Sequence, residues 1–151
     1  MAQAVARRRL PAGTILFLCT GNSARSQMAE GLARHLLGPR WEVHSAGVEP
    51  KGVHPLAVRV MDEIGIDIRG QTSKAIDPAL LARADWVITL CGDARDRCPT
   101  PPPGARHRHW DLEDPARVQG SEVQRLEAFR RVRDELARRL RELARELQDE
   151  G

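Results

Sequence analysis

The chain has 151 residues and a formal net charge of +3, from 24 lysines and arginines against 21 aspartates and glutamates. That length suffices for one core that buries about two-thirds of the unfolded surface. No apolar run approaches the roughly 18 residues of a membrane span. The interleaved charges form no basic stripe, which argues against nucleic-acid binding. We therefore expect a cytoplasmic monomer with a flexible N-terminal lead, residues 1–12, and one domain, residues 13–151.

Strand and helix patterns alternate along the chain. Apolar spacing predicts strands over 14–18, 42–45, 86–90 and 107–110, and helices over 26–37, 55–64, 78–84 and 121–148. Such alternation predicts βαβ units with right-handed crossovers. The predicted fold class is therefore α/β, a single domain with a four-stranded parallel sheet and helices on both faces.

The first predicted strand runs into the segment Cys19-Thr20-Gly21-Asn22-Ser23-Ala24-Arg25-Ser26, and a helix follows. A helix N-terminus carries unpaired amides and partial positive charge, so it favours an oxyanion and a thiolate. Arg25 adds a planar fork of donors that suits a tetrahedral oxyanion. Gly21 can adopt the positive φ that a curled loop needs, and Ser26 can donate a hydrogen bond to the thiolate. We therefore predict a nucleophilic Cys19 at an oxyanion-binding loop, residues 20–26.

The other two cysteines are Cys91 and Cys98. Cys91 follows a predicted strand as Cys19 does, and carboxyl ends of parallel strands share one edge of a sheet, so these two thiols are expected at the same edge. The spacing of Cys91 and Cys98 does not match a zinc site, and three cysteines disfavour a set of structural disulfides. The residues alone leave two inert thiols or a redox pair, and they call for no cofactor.

The last predicted helix, 121–148, is amphipathic and rich in glutamate and arginine. Ser121 is a candidate N-cap, and charges at i and i+4 can pair on the exposed side. Its apolar stripe favours packing on its own sheet over a coiled coil with a partner.

Two sets of residues resemble a known superfamily. The loop from Cys19 to Ser26, with Gln27-Met28-Ala29-Glu30 after it, resembles the phosphate loop of the low-molecular-weight protein tyrosine phosphatases. Further segments resemble the thioredoxin-coupled arsenate reductases within that superfamily: Ser45-Ala46-Gly47, Thr89 to Ala94, Cys98-Pro99, and His109-Trp110 to Asp114-Pro115-Ala116. The resemblance implies a low-molecular-weight phosphatase-like fold with one catalytic domain over 13–151.

The same resemblance implies reduction of arsenate to arsenite. Cys19 would attack arsenate held by the loop amides and Arg25, with Asp114 as general acid. Cys91 would then attack Cys19 and release arsenite. Cys98 would attack Cys91, leaving a Cys91–Cys98 disulfide for thioredoxin to reduce. Asp-Pro is also a common start of a turn, so Asp114 has a structural alternative.

Some members of the superfamily hold a potassium ion at positions that correspond here to Asn22, Glu30, Ser45 and Thr72. Lys74 stands where those members carry a carboxylate, and an ammonium there would repel a cation. No metal requirement is therefore predicted.

Two other functions use the same residues. A low-molecular-weight protein tyrosine phosphatase would hydrolyse phosphomonoesters through a cysteinyl-phosphate, but those phosphatases usually follow Asp-Pro with tyrosine, and this chain has none. Weak phosphatase activity is still expected as a side reaction. A non-enzymatic thiol redox sensor would oxidise Cys91 and Cys98 without releasing arsenite.

Overall fold

The computed structural model describes residues 12–92 and 100–150. Within these ranges, the strands are β1 (Gly13–Cys19), β2 (Trp41–Gly47), β3 (Trp86–Thr89) and β4 (Arg106–His109), all parallel, in the spatial order β2-β1-β3-β4. The α-helices are α1 (Arg25–Leu37), α2 (Pro55–Asp62), α3 (Pro78–Arg83) and α4 (Glu122–Glu150), and Pro115–Arg117 forms a 3-10 turn. The predicted fold class is confirmed. Residues 1–11 of the predicted lead, and Cys98, lie outside the described residues.

The predicted elements are present with shifted ends. β2 extends to Gly47 because it pairs with β1 over all seven of its residues. α2 ends at Asp62, two residues before the predicted end, and the chain turns at Gly65, whose φ of 79° lies in the left-handed region that glycine favours. In the part of the chain that the structure describes, no helix has the length and apolar character of a membrane span.

β1 is buried on both faces and positions the loop that follows it. Successive side chains of a strand point to opposite faces, so Ile15 and Phe17 belong to one apolar cluster, with side chains of α1, α2 and α4, while Leu16 and Leu18 belong to a second cluster with α3. Helices on both faces leave the strand ends as the accessible part of the sheet. Cys19 is the last residue of β1 and lies at such an end.

α4 closes the larger cluster. Its Phe129, Leu136 and Leu140 are fully buried there, in one cluster with Ile15 and Phe17 of β1, so the predicted packing of this helix on its own sheet is confirmed. The predicted cap is also confirmed, because the Gln124 backbone nitrogen donates to Ser121 Oγ at 3.1 Å. The Gln124 side chain accepts in return from the Ser121 backbone at 2.9 Å, which completes a capping box.

One charged junction joins α4 to the end of α2. The Glu63 carboxylate accepts three hydrogen bonds from the Arg130 guanidinium, at 2.6, 2.9 and 3.1 Å, and one from Arg133 at 2.9 Å. Arg133 also donates to the Val60 carbonyl at 2.9 Å. The hydrogen bonds from Arg130, then those from Arg133, lower the pKa of Glu63 from 4.5 to about 2.

Replacing Glu63 by glutamine should therefore destabilise the protein in a pH-dependent way. The pKa of Glu63 is lower in the folded than in the unfolded chain, so its contribution is complete above the unfolded value of 4.5 and is lost as pH falls towards 2. Because the side chain is one-third exposed, solvent limits the loss at neutral pH to on the order of 2 °C in Tm. Urea unfolding should show the difference from wild type narrowing between about pH 5 and pH 3.

Glu142→Gln is the matched control, since its partner Arg138 lies on the exposed side of α4. It should change the stability little at any pH. An equally large effect of Glu63→Gln at pH 3 and at neutral pH would contradict an ionic origin.

Candidate active site

The loop after β1 is held by main-chain hydrogen bonds. Three loop carbonyls accept from the segment 49–54: Thr20 from the Glu49 nitrogen (2.9 Å), Gly21 from Lys51 (3.0 Å) and Ser23 from His54 (3.0 Å). In a trans peptide unit the N–H points away from the C=O. The amides that follow these three carbonyls therefore point into the loop, and several such N–H groups form an anion-binding nest.

Close packing against β2 supports the same loop. β2 ends at Gly47, where a Cβ atom would lie 2.7 Å from the Asn22 nitrogen and 2.8 Å from the Thr20 carbonyl oxygen. Only glycine fits this approach, so Gly47 lets the end of β2 touch the loop backbone.

The left-handed residue of the loop is Asn22, with φ of 45°, and not Gly21 as predicted. Asparagine tolerates this conformation better than most residues because its short polar side chain bonds locally. Here its carbonyl accepts from Gln27 Nε2 at 3.1 Å and from Ser73 Oγ at 2.8 Å. Hydrogen bonds from two side chains to the backbone carbonyl of Asn22 therefore hold the left-handed conformation that was expected of Gly21.

The Cys19 thiol forms a hydrogen bond with Ser26. Cys19 Sγ lies 2.9 Å from Ser26 Oγ, and Asn22 Nδ2 donates to that same hydroxyl at 2.7 Å. Because the Ser26 oxygen accepts from Asn22, its own proton is available for the sulfur. The Ser26 hydroxyl is therefore placed to donate to the sulfur that would act as the nucleophile.

Arg25 connects three parts of the site. It is the first residue of α1 and 2% exposed. Its Nη1 atom donates to the carbonyls of Leu90 and Leu112, each at 3.1 Å, and its Nη2 atom lies 3.8 Å from Asp114 Oδ2. The guanidinium thereby holds the chain before Cys91 and the chain before Asp114 at fixed positions beside the loop.

The position of Asp114 is compatible with both predicted roles, as the start of a turn and as a general acid. Its Oδ1 atom accepts from the Ala116 nitrogen at 3.0 Å and caps the 3-10 turn. Its Oδ2 atom lies 3.5 Å from Arg117 Nε and faces Arg25 as well. A carboxyl group that gives up a proton here leaves an anion beside two guanidinium groups.

A cavity of about 320 Å³ opens above the loop. It brings together Cys19, Arg25 and Asp114, and its wall also contains Lys51, His54 and Arg117. A cavity of about 410 Å³ near Trp41 has no cysteine in its lining. The shared cavity is the physical reason to treat Cys19, Arg25 and Asp114 as one site.

The sequence did not single out His54 for this wall. Its backbone bonds to the loop, and its Nδ1 atom accepts from the Leu56 nitrogen at 3.0 Å, which caps α2. Burial lowers the pKa of His54, Arg125 lowers it further and Asp114 opposes the change. Neutral His54 fits its role as a hydrogen-bond acceptor at Nδ1. The sequence feature that could have drawn attention to His54 is its place directly before Pro55, at the start of a predicted helix.

The second thiol lies at the same sheet edge as Cys19, as predicted. Leu18 of β1 pairs with Thr89 of β3, and the Leu90 nitrogen donates to the Leu18 carbonyl at 2.9 Å, so Cys91 follows one residue beyond the position opposite Cys19. Both thiols are buried and neither forms a disulfide. Within residues 12–92 and 100–150, no cluster of histidine, cysteine and carboxylate side chains is suited to holding a metal.

Comparison with known proteins gives consistent matches. The family model described as low molecular weight phosphotyrosine protein phosphatase matches residues 14–151. An arsenate reductase of Bacillus subtilis (strain 168) is 56% identical over 130 residues, which span 86% of this chain and 94% of that protein. A solved arsenate reductase in the phosphate binding state has a TM-score of 0.75 and 39% identity, and the match covers 89% of this chain and 98% of that chain.

A thioredoxin-dependent arsenate reductase from Corynebacterium glutamicum also matches, with a TM-score of 0.74 and 31% identity over 99% of this chain and 70% of that chain. The chain therefore belongs to the low molecular weight phosphotyrosine protein phosphatase family and, within it, to the arsenate reductases.

Proposed function

We propose that this protein reduces arsenate to arsenite and receives its electrons from thioredoxin. The observation that carries the proposal is the cavity that Cys19 shares with the loop and Arg25, with a second thiol, Cys91, just beyond the end of the neighbouring strand. The loop suits a tetrahedral oxyanion, and the second thiol supplies what a reduction needs beyond binding. The arsenate reductases to which the chain is similar support the choice of oxyanion.

In the first step, the Cys19 thiolate attacks arsenic and forms a sulfur–arsenic bond while arsenic is still pentavalent. The loop amides and Arg25 hold the three oxygens that remain. Asp114 protonates a departing hydroxyl group of hydrogen arsenate, which leaves as water, and the resulting carboxylate lies beside Arg25 and Arg117.

In the second step, the Cys91 thiolate attacks Cys19 Sγ. A Cys19–Cys91 disulfide forms, and the electron pair of the sulfur–arsenic bond passes to arsenic, which leaves as arsenite. Cys98 then attacks Cys91, returns Cys19 as a thiolate and leaves a Cys91–Cys98 disulfide. The dithiol of thioredoxin reduces that disulfide and is itself oxidised, a step favoured by the similarity to a thioredoxin-dependent reductase.

Hydrolysis of phosphomonoesters is a second candidate because Cys19, the loop and Asp114 also fit phosphoryl transfer. In that reaction water attacks a cysteinyl-phosphate, so Cys91 is not needed. The cavity wall after Asp-Pro is Ala116, which offers no aromatic surface to an aryl phosphate. We therefore assign hydrolysis the status of a weak side activity.

A single-turnover experiment tests the relay. Reduced protein mixed with arsenate in the absence of any reductant should release about one arsenite per chain, because each chain holds one pair of transferable electrons in its relay. Peptide mapping should then find Cys91 linked to Cys98. Cys19→Ser should release none, and Cys91→Ser should release none while it keeps any hydrolysis of p-nitrophenyl phosphate.

The alternatives give different results in the same experiment. Three free thiols and no arsenite would support the phosphatase. A Cys91–Cys98 disulfide formed with peroxide, but never with release of arsenite, would support a redox sensor. Either result would contradict the reductase.

Asp114→Asn tests the general acid. Asparagine keeps an oxygen that can accept from the Ala116 nitrogen, so the 3-10 turn should remain, but it has no proton to transfer. We expect kcat with thioredoxin to fall about 100-fold, within the range for loss of a general acid, with Tm little changed. Glu113→Gln, an adjacent exposed carboxylate paired with Arg131, is the control and should keep wild-type kcat. If Asp114→Asn kept the wild-type kcat, the only role of Asp114 would be to cap the 3-10 turn.

A further inference from the structure

Glu30 is a buried carboxylate on α1, outside the cavity that holds the thiol. It is 2% exposed, and a buried charge needs hydrogen bonds and a counter-charge. Its Oε1 atom accepts from Ser45 Oγ at 2.6 Å, and its Oε2 atom lies 3.1 Å from Arg34 Nη2. The Lys74 ammonium lies 3.7 Å from Oε1 and also donates to the Thr72 carbonyl.

Hydrogen bonds connect this carboxylate to the thiol. The connection passes through Glu30, Ser45, Asn22, Ser26 and Cys19, with steps of 2.6, 2.9, 2.7 and 2.9 Å. An ionised carboxylate can only accept, so the Ser45 hydroxyl donates to Glu30 and accepts from Asn22. The second N–H of Asn22 then donates to Ser26, whose proton is left for Cys19. Glu30 thus fixes the direction of the Ser45 bond, and the series of contacts ends at the Ser26 hydroxyl, which can donate to the sulfur.

Lys74 acts on this connection at two points. Its backbone nitrogen donates to Asn22 Oδ1 at 2.7 Å and so fixes which end of the amide faces the two serines. Its ammonium balances part of the charge of Glu30. The two contacts together place a positive charge beside Glu30 and fix the orientation of the Asn22 amide.

The residues do not fit a potassium ion at the positions implied by the family. Of the four corresponding residues, Glu30 and Thr72 already face the Lys74 ammonium. The other two, Asn22 and Ser45, bond to each other. A positive charge of this chain therefore lies where the ion would bind, and a second cation would be repelled.

We propose that Lys74 is a positioning residue, whose ammonium serves as the built-in counter-ion of Glu30 in place of a bound monovalent cation. Through Glu30 it maintains the hydrogen bonds that direct the Ser26 hydroxyl to Cys19. The reactivity of Cys19 then depends on Lys74 and not on the monovalent cation of the solution.

Alkylation of Cys19 by iodoacetamide tests this without arsenate, so its result is independent of the proposed function. The rate is followed on the Cys19 peptide by mass spectrometry over a range of pH. In the wild-type protein, the rate and Tm should be the same in KCl, NaCl and choline chloride at equal ionic strength. The groups that face the thiol across the cavity are unchanged in every variant: Arg25, Lys51, His54, Asp114 and Arg117.

Lys74→Met leaves the charge of Glu30 less balanced, which disfavours a second negative charge on Cys19. Alkylation at neutral pH should slow about two- to fivefold, the range for loss of a partly exposed ion pair. The pH of half-maximal rate should move upward. In this variant, alkylation should become faster in KCl than in choline chloride, because a small cation can then approach Glu30.

Arg138→Met is the matched control, since it removes a cation that pairs with Glu135 and Glu142 on the exposed side of α4. A double-mutant cycle with Glu30→Gln tests whether Lys74 acts on Cys19 through Glu30. If it does, Lys74→Met should have no further effect once the carboxylate is gone. Ser45→Ala breaks the same connection and replaces Glu30→Gln if that variant does not fold.

Three results would overturn the proposal. Potassium-selective acceleration or stabilisation of the wild-type protein would show that an ion binds despite Lys74. Equal rates of Cys19 alkylation in Lys74→Met and Arg138→Met would show that the Lys74 ammonium has no effect on Cys19. An undiminished effect of Lys74→Met in the Glu30→Gln or Ser45→Ala background would show that Lys74 does not act through Glu30.

Discussion

Three backbone hydrogen bonds turn the carbonyls of Thr20, Gly21 and Ser23 towards the segment 49–54 and away from the centre of the loop. The inward direction of the amides follows from this, because each peptide unit is planar and trans. Bonds within the protein therefore hold the nest, which lowers the ordering cost of binding an anion. Gly47 is part of the same constraint, since any larger residue would push the end of β2 off the loop.

The strand order places the remaining parts of the site around this loop. β1 lies between β2 and β3. The chain therefore passes from β1 to β2 on one side, then returns past β1 to form β3 on the other side. Binding sites in open parallel sheets form at this kind of reversal. Here it places Cys19 and Cys91 at neighbouring strand ends, with Arg25 bonded to the carbonyl just before Cys91. The topology that forms the oxyanion site thus also brings a second thiol to it.

Local patterns in the sequence were sufficient for the sheet, the long capped helix and the loop with Cys19 and Arg25. The strand of β1 and the amphipathic stripe of α4 depend on spacing that is visible within a few residues. The contacts that hold the loop could not be read in this way, because Lys51, His54 and Lys74 approach it from distant parts of the chain. The assignment of positive φ to Gly21 failed for the same reason. Composition favours glycine there, but tertiary hydrogen bonds stabilise Asn22 in that conformation.

The bonds from the segment 49–54 to the loop use backbone nitrogens. The geometry of the loop is therefore separate from the choice of side chains at the mouth of the cavity. The side chains of Glu49 and Lys51 are exposed, and Lys51 lines the mouth of the cavity, yet neither side chain is needed for the backbone bonds to Thr20 and Gly21. Evolution or an engineer can therefore exchange Lys51 to change which oxyanion is admitted. The geometry that activates the bound oxyanion is inherited unchanged.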